Sequence, residues 1–391
     1  MNRAAFAARL FLVITLLPVI VAAGWSVYDY RTQPPIPLGT YRPFPKDPLV
    51  KDVLGQRGFL LGVYAPTPGP AAAPATGGGK GKARKASRTA PPAATTGLAD
   101  FDAAIGCPAV SITLRYVKWG ELFPQAYVAS AAGRGSETMI ELMPKERPSL
   151  AQIADGSQDR WLRSFARQIL GLGDHVILSF APEMNGTWYN YGHGHKGATP
   201  ARYRAAFVHV HDVIGKIAGP LVTWMWQPSA MHTRVVPGPA GTTVTKGTPS
   251  PKPYWPGARY VGEIGLDGYY YYRDDTFDVI FGPTIKMLRK LAPRTPIMIG
   301  EVAAGPEFNK PSLDRQVADI KDLFAGISKY GLGGLIWFDR NQLTKHYRAG
   351  LRQFHQDWRL QDNQAALAAF RREISQAGPL ASPRGRRPVS C

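Results

Sequence analysis

Eight short runs of apolar residues recur along the chain, each five to seven residues long and rich in Val, Ile, Leu, Met or Phe. Runs of this length are typical of buried strands and too short for most helices. The pattern therefore predicts eight strands, at 59–64, 110–116, 138–142, 175–180, 221–226, 263–269, 296–301 and 334–338.

Most gaps between these runs carry apolar residues at the helical spacing of three and four. Four of the gaps predict helices, at 157–170, 199–217, 276–291 and 313–330. Eight strands alternating with helices over roughly 300 residues predict an α/β fold of the (β/α)8 TIM-barrel type. The alternative is an open doubly wound sheet, but no Gly-rich phosphate-binding turn follows the first strand.

The segments outside the predicted strands and helices differ in composition. Residues 1–27 carry two Arg residues ahead of an uncharged apolar run, which predicts a signal peptide or an uncleaved signal anchor. Residues 28–57 are a Pro-rich lead-in, residues 58–360 form the barrel domain, and residues 361–391 hold a C-terminal helix and a basic tail. We expect a basic, Gly- and Ala-rich insertion at 66–97 to be disordered. The protein should be secreted or membrane-anchored, and therefore extracytoplasmic.

The formal net charge of +19 over 391 residues suggests a nucleic-acid ligand, because Lys and Arg side chains neutralise phosphates. Many of the cations lie in the N-terminal run, the insertion and the tail, and the chain lacks the basic and aromatic interleaving of single-strand binders. We therefore predict no nucleic-acid partner. We also expect a monomer. Cys107 and Cys391 are the chain's two cysteines. A disulfide between them is one alternative, but we favour free thiols.

Two glutamates carry the chemistry that the pattern indicates. Glu183 follows the fourth predicted strand and Glu301 ends the seventh, and these strands face each other across the mouth of a barrel. A retaining glycosidase needs one carboxylic acid that protonates the leaving oxygen and one carboxylate that attacks the anomeric carbon. A single glutamate at a strand end would be unremarkable, but two at these positions predict a two-carboxylate active site.

Four segments, in this order, resemble glycoside hydrolase family 26: 182–189 with its Glu-Met-Asn-Gly-Thr-Trp string, 265–269, 299–301 and 336–338. The resemblance spans about residues 59–348 and implies a retaining endo-β-glycanase on a (β/α)8 barrel. It implies that Glu183 is the general acid/base and Glu301 the nucleophile. It also implies roles on the substrate side of the site for Trp188, Tyr269 and Trp337. Asn185 and Tyr116 are candidates for polar contacts to sugar hydroxyls or to the glutamates. Tyr269 resembles the tyrosine that hydrogen-bonds the nucleophile, and core packing is the alternative for Trp337.

The chain departs from the family pattern beside the acid/base. Mannanases of this family usually have His immediately before that Glu and Arg three residues before the His, where this chain has Pro182 and Ser179. Both glutamates remain, so we expect hydrolysis of a β-linked polysaccharide, with mannan as the first candidate. The alternative is a catalytically silent, envelope-tethered barrel that binds carbohydrate.

His193 and His195 follow the acid/base segment at a spacing that could chelate a metal. No carboxylate or cysteine cluster accompanies them, and retaining hydrolysis needs no metal. We therefore expect a solvent-facing loop here, no metal and no cofactor. A second long loop, at 227–262, contains Tyr254, Trp255 and Tyr260, and should border the substrate cleft.

Overall fold

Eight parallel strands close into a barrel in the computed structural model of the chain. The structure describes residues 59–66, 96–107, 110–237, 243–305, 313–344, 354–378 and 380–381. The barrel strands are β1 (Leu60–Tyr64), β2 (Ile112–Lys118), β3 (Glu137–Met143), β4 (Val176–Phe180), β5 (Val222–Trp226), β8 (Glu263–Asp267), β9 (Ile297–Val302) and β10 (Gly334–Phe338). Their order around the barrel is β1-β10-β9-β8-β5-β4-β3-β2, closed by pairing of β2 with β1. The predicted (β/α)8 TIM-barrel fold is confirmed.

Two antiparallel strand pairs lie outside the barrel. One joins β6 (Thr233–Pro237) to β7 (Thr243–Gly247), within the long loop between β5 and β8. The other joins β11 (Asn341–Thr344) to β12 (Phe354–Asp357), after the last barrel strand. The sequence pattern did not predict either pair.

Helices cover the outside of the barrel. They are α1 (Thr96–Ile105), α2 (Gln125–Gly133), α3 (Leu150–Ala154), α4 (Asp159–Leu172), α5 (Pro200–Ala218), α6 (Phe277–Ile280), α7 (Gly282–Leu291), α8 (Leu313–Tyr330) and α9 (Gln364–Ala377). Local sequence signals set their ends. The Thr199 side chain caps α5 by accepting the Arg202 N–H, with Pro200 in the first turn. Gly173 ends α4 at φ +78°, a conformation that favours glycine.

The core has two layers because successive strand residues point to opposite faces. Eight apolar strand residues fill the barrel interior: Leu60, Ile112, Leu114, Met139, Ile177, Met225, Met298 and Ile336. Their strand neighbours face outward and pack against the helices, as Leu335 and Trp337 do on either side of Ile336. Alternate packing of this kind is what fixes the register and so the direction of each side chain at the barrel mouth.

The C-terminal helix belongs to the barrel. Phe370 of α9 packs against Trp337 of β10, with ring centroids 5.2 Å apart, and against Phe324 of α8 at 5.5 Å. Ser111 donates a 2.6 Å hydrogen bond to the carbonyl of Ala381, just beyond α9. The predicted C-terminal helix is therefore α9, which follows the eighth barrel strand and packs against it.

Several predictions fall on residues outside the described ranges. These are the N-terminal signal or anchor at 1–27, the lead-in at 28–57, most of the insertion at 66–97, and the basic tail. The prediction of disorder is wrong for the end of the insertion, since α1 begins at Thr96. Among the described residues, no helix combines the length and apolar character needed to cross a bilayer.

Cys107 is disulfide-bonded, so the expectation of free thiols is wrong. Cys107 is 4% exposed and lies just after α1. The chain has one other cysteine, Cys391, which lies outside the described residues.

Candidate active site

Glu183 and Glu301 both lie at the carboxyl ends of barrel strands. Glu301 is the next-to-last residue of β9, the seventh strand of the barrel, and is 6% exposed. Glu183 comes three residues after β4, the fourth barrel strand, and is half-buried. The charge of Glu301 raises the pKa of Glu183, which reflects the closeness of the two carboxyl groups. The two glutamates thus lie at the ends of the fourth and seventh barrel strands, as the sequence predicted.

Two tyrosine hydroxyls hold the carboxylate of Glu301. Tyr116 of β2 donates a hydrogen bond to Oε1, and Tyr269, two residues beyond β8, donates to Oε2. Burial raises the pKa of Glu301, whereas hydrogen bonds with Glu141, Tyr116 and Tyr269 lower it. Hydrogen bonds to the charged form favour ionisation. The sequence prediction that Tyr269 bonds to this carboxylate is confirmed, and Tyr116 contacts the glutamate as well.

The surroundings of Glu183 favour its protonated form. Burial, followed by the charge of Glu301, raises its pKa to about 8, although a hydrogen bond from Trp188 acts against this. Trp188 Nε1 donates to Glu183 Oε2 at 2.8 Å. A carboxyl group with this pKa is protonated near neutral pH and can act as an acid. The residue that the resemblance assigns as the acid/base therefore has the pKa of a group that can give up a proton near neutral pH.

The backbone that presents Glu183 is strained. Ala181 and Glu183 have φ of +47° and +54°, values that side-chain-bearing residues rarely adopt. A 2.7 Å hydrogen bond from the Glu183 N–H to the carbonyl of Gln227 fixes this turn to the end of β5. Strained backbone that neighbouring structure holds in place is common at functional sites.

Trp188 lies over the turn that follows Glu183. A Cβ on Gly186 would come within 2.3 Å of the Trp188 ring, so this position requires glycine. The Trp188 side chain is 50% exposed although one edge contacts Glu183. An exposed, fixed indole beside a candidate acid is suited to stack on a sugar ring.

A second layer of carboxylates lies beneath Glu301 and was missed by the sequence analysis. Glu141 of β3 is 2% exposed and Asp267 of β8 is 1% exposed. The amide Nε2 of Gln227 donates to both, at 2.6 Å to Glu141 Oε1 and 3.1 Å to Asp267 Oδ1. Burial and the Glu301 charge raise the pKa of both groups well above their ordinary values.

Glu141 and Glu301 are hydrogen-bonded to each other, which requires a proton on one of the two carboxyl groups. The hydrogen bond raises the pKa of Glu141 and lowers that of Glu301, which favours the proton on Glu141. With the proton there, the Glu141 carboxylic acid is a third donor to the Glu301 carboxylate. A buried carboxylic acid that stays neutral so that it can donate is a known device of active sites.

Lys145 brings a positive charge to the same region. It follows β3, and its Nζ lies 4.6 Å from the ring centroid of Tyr189. Burial lowers the pKa of Lys145, while the charges of Glu141, Glu183 and Glu301 raise it. The ammonium group partly balances the carboxylates, and it too was missed in the sequence.

Asn185, predicted to contact sugar hydroxyls or the glutamates, instead bonds backbone groups of the loop after β5. It is fully buried, and its Nδ2 donates to the carbonyls of Ser229 and Pro249 at 2.8 and 2.9 Å. Its Oδ1 accepts the Ser229 N–H at 2.9 Å. Ser229 in turn hydrogen-bonds Glu183. Asn185 thus ties the Glu183 turn to the loop after β5.

The substrate-contact prediction for Trp337 is also wrong. Trp337 is fully buried on the outer face of β10, packs against Phe370, and donates its Nε1 hydrogen to the Trp358 carbonyl at 3.0 Å. The alternation along the strand turns this side chain away from the barrel mouth. Core packing is its role.

The two loop histidines bind neighbouring protein groups. His193 Nδ1 lies 3.1 Å from the Tyr254 hydroxyl, and His195 Nε2 lies 2.8 Å from the Thr187 carbonyl. Within the part of the chain that the structure describes, no group of three or more His, Cys, Asp or Glu side chains is arranged to hold a metal ion.

The second long loop packs onto the barrel through its aromatics. Tyr254 is 1% exposed, and the rings of Trp226 and Trp255 lie 5.0 Å apart. Tyr260 packs against His211, with ring centroids 5.1 Å apart. These residues hold the loop in place, whereas the backbone of Ser229 and Pro249 within it contacts the Glu183 turn.

No protein-family model matches the chain, and no curated protein sequence matches it significantly. Its fold is similar to solved structures of glycoside hydrolase family 26. The catalytic domain of the endo-β-1,4-mannanase of Bacillus sp. JAMB-750 aligns with a TM-score of 0.56 at 17% identity, over 84% of this chain and 88% of that one. A β-mannanase of Bacteroides ovatus aligns with a TM-score of 0.53 at 14% identity, over 86% of this chain and 94% of that one. At these identities the likeness shows the fold.

Proposed function

We propose that this protein is a retaining β-glycanase of the family 26 type, with Glu183 as general acid/base and Glu301 as nucleophile. One observation carries the proposal: two carboxyl groups at the ends of the fourth and seventh barrel strands have opposed environments. Burial raises the pKa of Glu183 to about 8, whereas Glu301 accepts hydrogen bonds from two tyrosines and lies beside Glu141. Pairs of carboxyl groups whose surroundings favour different protonation states carry acid and base roles in enzymes.

The reaction has two steps. In the first, the Glu183 carboxylic acid gives its proton to the glycosidic oxygen while Glu301 attacks the anomeric carbon, which releases the leaving sugar and forms a glycosyl ester. In the second, the Glu183 carboxylate takes a proton from water, and the resulting hydroxide displaces Glu301 from the anomeric carbon. Each step leaves Glu183 in the protonation state that the next one needs.

The substrate of this proposal is a β-linked polysaccharide, with β-mannan as the first candidate because the mannanases named above share the fold. Pro182 and Ser179 stand at the positions where family mannanases usually have His and Arg. Ser179 is fully buried, and its hydroxyl has no hydrogen-bond partner among the described residues. Mixed-linkage β-glucan, β-1,3-xylan and bacterial envelope polysaccharides therefore belong in the same assay.

We also propose an extracytoplasmic location, secreted or held by an N-terminal anchor, from the arginines and apolar run of residues 1–27. Fractionation of cells that express the full chain tests this. We expect the protein outside the cytoplasm, and recovery in the cytoplasmic fraction would contradict it.

The function is tested by measuring reducing ends released from β-mannan, mixed-linkage β-glucan, β-1,3-xylan and envelope polysaccharide. Wild type should cleave at least one polymer, and Glu301→Ala should not. The matched control is Glu263→Gln, which changes a buried carboxyl group at the opposite end of the barrel and should keep wild-type activity. Binding without cleavage by wild type would overturn the proposal in favour of a catalytically silent carbohydrate-binding barrel.

A further inference from the structure

Three aromatic side chains among the described residues are exposed at the carboxyl ends of the barrel strands. Trp188 follows β4, while Tyr271 and Tyr272 follow β8, and they are 50%, 39% and 44% exposed. Scattered exposed aromatics are ordinary on protein surfaces. The position and fixation of Tyr271 set it apart.

Tyr271 belongs to an aromatic group that leads directly to the candidate nucleophile. Its ring centroid lies 5.6 Å from that of Tyr269, whose hydroxyl donates to Glu301, and 6.2 Å from that of Trp358. After burial, the charges of Glu183 and Glu301 are the largest causes that raise the pKa of Tyr271. The side chain is therefore near both reactive carboxyl groups, yet keeps an exposed surface.

The backbone under Tyr271 is held by a buried carboxylate. Asp275 is 4% exposed, and its Oδ2 accepts the N–H groups of both Tyr271 and Tyr272 at 2.7 Å. Arg315 donates a hydrogen bond to the carbonyl of Tyr272. A ring on a backbone fixed in this way loses little freedom when a ligand stacks on it, which favours binding.

We propose that Tyr271 is a second stacking platform for the glycan, in addition to Trp188, and binds a sugar ring next to the bond that is cut. The ligand class is a chain of β-linked pyranoses, whose C–H faces are apolar enough to stack on an aromatic ring. The inference extends the proposed function, but the platform binds sugar whether or not the bond is cleaved.

Binding is measured by calorimetry with mannopentaose, cellopentaose and a mixed-linkage β-glucan pentasaccharide, in the Glu301→Ala background so that no ligand is hydrolysed. Tyr271→Ala should weaken the affinity for the best ligand by about threefold to tenfold, the usual range for one aromatic contact. Tyr271→Phe should bind as the parent does, because it keeps the ring. Tyr272→Ala is the matched control on the same loop and should change affinity by less than about twofold.

Three results would overturn the inference: unchanged affinity in Tyr271→Ala, an equal loss in Tyr272→Ala, or no binding of any of the three probes by the parent. A lower melting temperature in Tyr271→Ala than in Tyr271→Phe would also count against it, since loop disruption would then explain the loss. If Tyr271-dependent binding is found but wild type cleaves nothing, the platform stands and the proposed hydrolysis fails. If wild type cleaves but Tyr271→Ala binds normally, only the platform fails.

Discussion

The two ends of the barrel carry similar residues with different surroundings. Strand β3 has Glu137 at its amino end and Glu141 further along, and β8 has Glu263 at its amino end and Asp267 at its carboxyl end. At the amino ends, Glu137 contacts His175 Nδ1, and His175 Nε2 lies 3.3 Å from the Thr223 hydroxyl. Burial, followed by the charge of Glu137, raises the pKa of Glu263 to about 8.

A raised carboxyl pKa is therefore found at both ends and does not by itself mark an active site. The carboxyl ends differ in having a carboxyl group, that of Glu301, whose pKa several hydrogen bonds lower against the effect of burial. Glu301 has Tyr116, Tyr269 and Glu141 around it, and Glu183 beside it. Among the described residues, the carboxyl ends thus bring together one carboxyl group whose pKa burial raises and one whose charged form hydrogen bonds favour.

The largest expected effect is the loss of the nucleophile. Glu301→Gln should lower kcat on the cleaved polymer by on the order of 10⁴-fold, because no covalent intermediate can form. Glu263→Gln, in which a neutral amide replaces a carboxyl group of raised pKa, should keep kcat within about twofold near neutral pH. Steady-state kinetics of the two purified variants provide the measurement. Equal losses in both would remove the distinction between the two ends.

Removal of the Glu141 donor should have the next largest effect. Glu141→Leu takes away a hydrogen bond to a charged group and leaves the Gln227 amide with one partner fewer, so kcat/KM should fall by about 100-fold. Glu141→Gln keeps a donor and should retain most of the activity. A purely space-filling role predicts instead that the two variants behave alike.

Loss of one tyrosine donor should be milder and should change the pH dependence. Tyr269→Phe removes a hydrogen bond that favours the ionised form of Glu301, so the pKa of Glu301 rises and the acid limb of kcat/KM moves to higher pH. Activity at the optimum should fall by about tenfold. Tyr270→Phe is the control: the Tyr270 hydroxyl lies 2.9 Å from Asp322, away from the glutamates. Its acid limb should match that of wild type.

The smallest expected effect concerns the alkaline limb. Activity needs protonated Glu183, so it should fall as pH rises through the pKa of about 8. The Trp188 N–H bonds the carboxylate form and lowers this pKa, so Trp188→Phe should move the alkaline limb to higher pH, by up to about one unit. A shift in the opposite direction would contradict the assignment of Glu183 as the acid.

The sequence predicted the barrel closely because strand burial has a clear signature. Runs that are apolar throughout, such as 334–338, are buried on both faces, and the predicted bounds of that strand and of the 313–330 helix coincide with those of β10 and α8. The strand pairs β6–β7 and β11–β12, which are separate from the barrel sheet, gave no comparable signal.

The site was predicted in part, for reasons that follow from strand geometry. Glu183, Glu301, Tyr116, Tyr269 and Trp188 meet as expected, but Glu141 lies inside the apolar run Thr-Met-Ile-Glu-Leu-Met and gave no motif of its own. Closure of the barrel brings Glu141 of β3 beside Glu301 of β9, and the sequence of a single strand does not show this contact. Trp337 matched a family segment, but its side chain lies on the outer face of β10 and is buried under α9. The run of four consecutive tyrosines at 269–272 could have pointed to Tyr271.

The central claim is that Glu183 and Glu301 divide the acid/base and nucleophile roles. It is tested most directly by azide rescue of Glu183→Ala and Glu301→Ala on an activated aryl β-glycoside of the sugar that wild type cleaves. Nuclear magnetic resonance then identifies the anomer of the glycosyl azide. A β-azide from Glu183→Ala and an α-azide from Glu301→Ala are predicted, because azide meets a covalent intermediate in the first variant and the free substrate in the second. The reverse pattern, or the same anomer from both, would contradict the assignment.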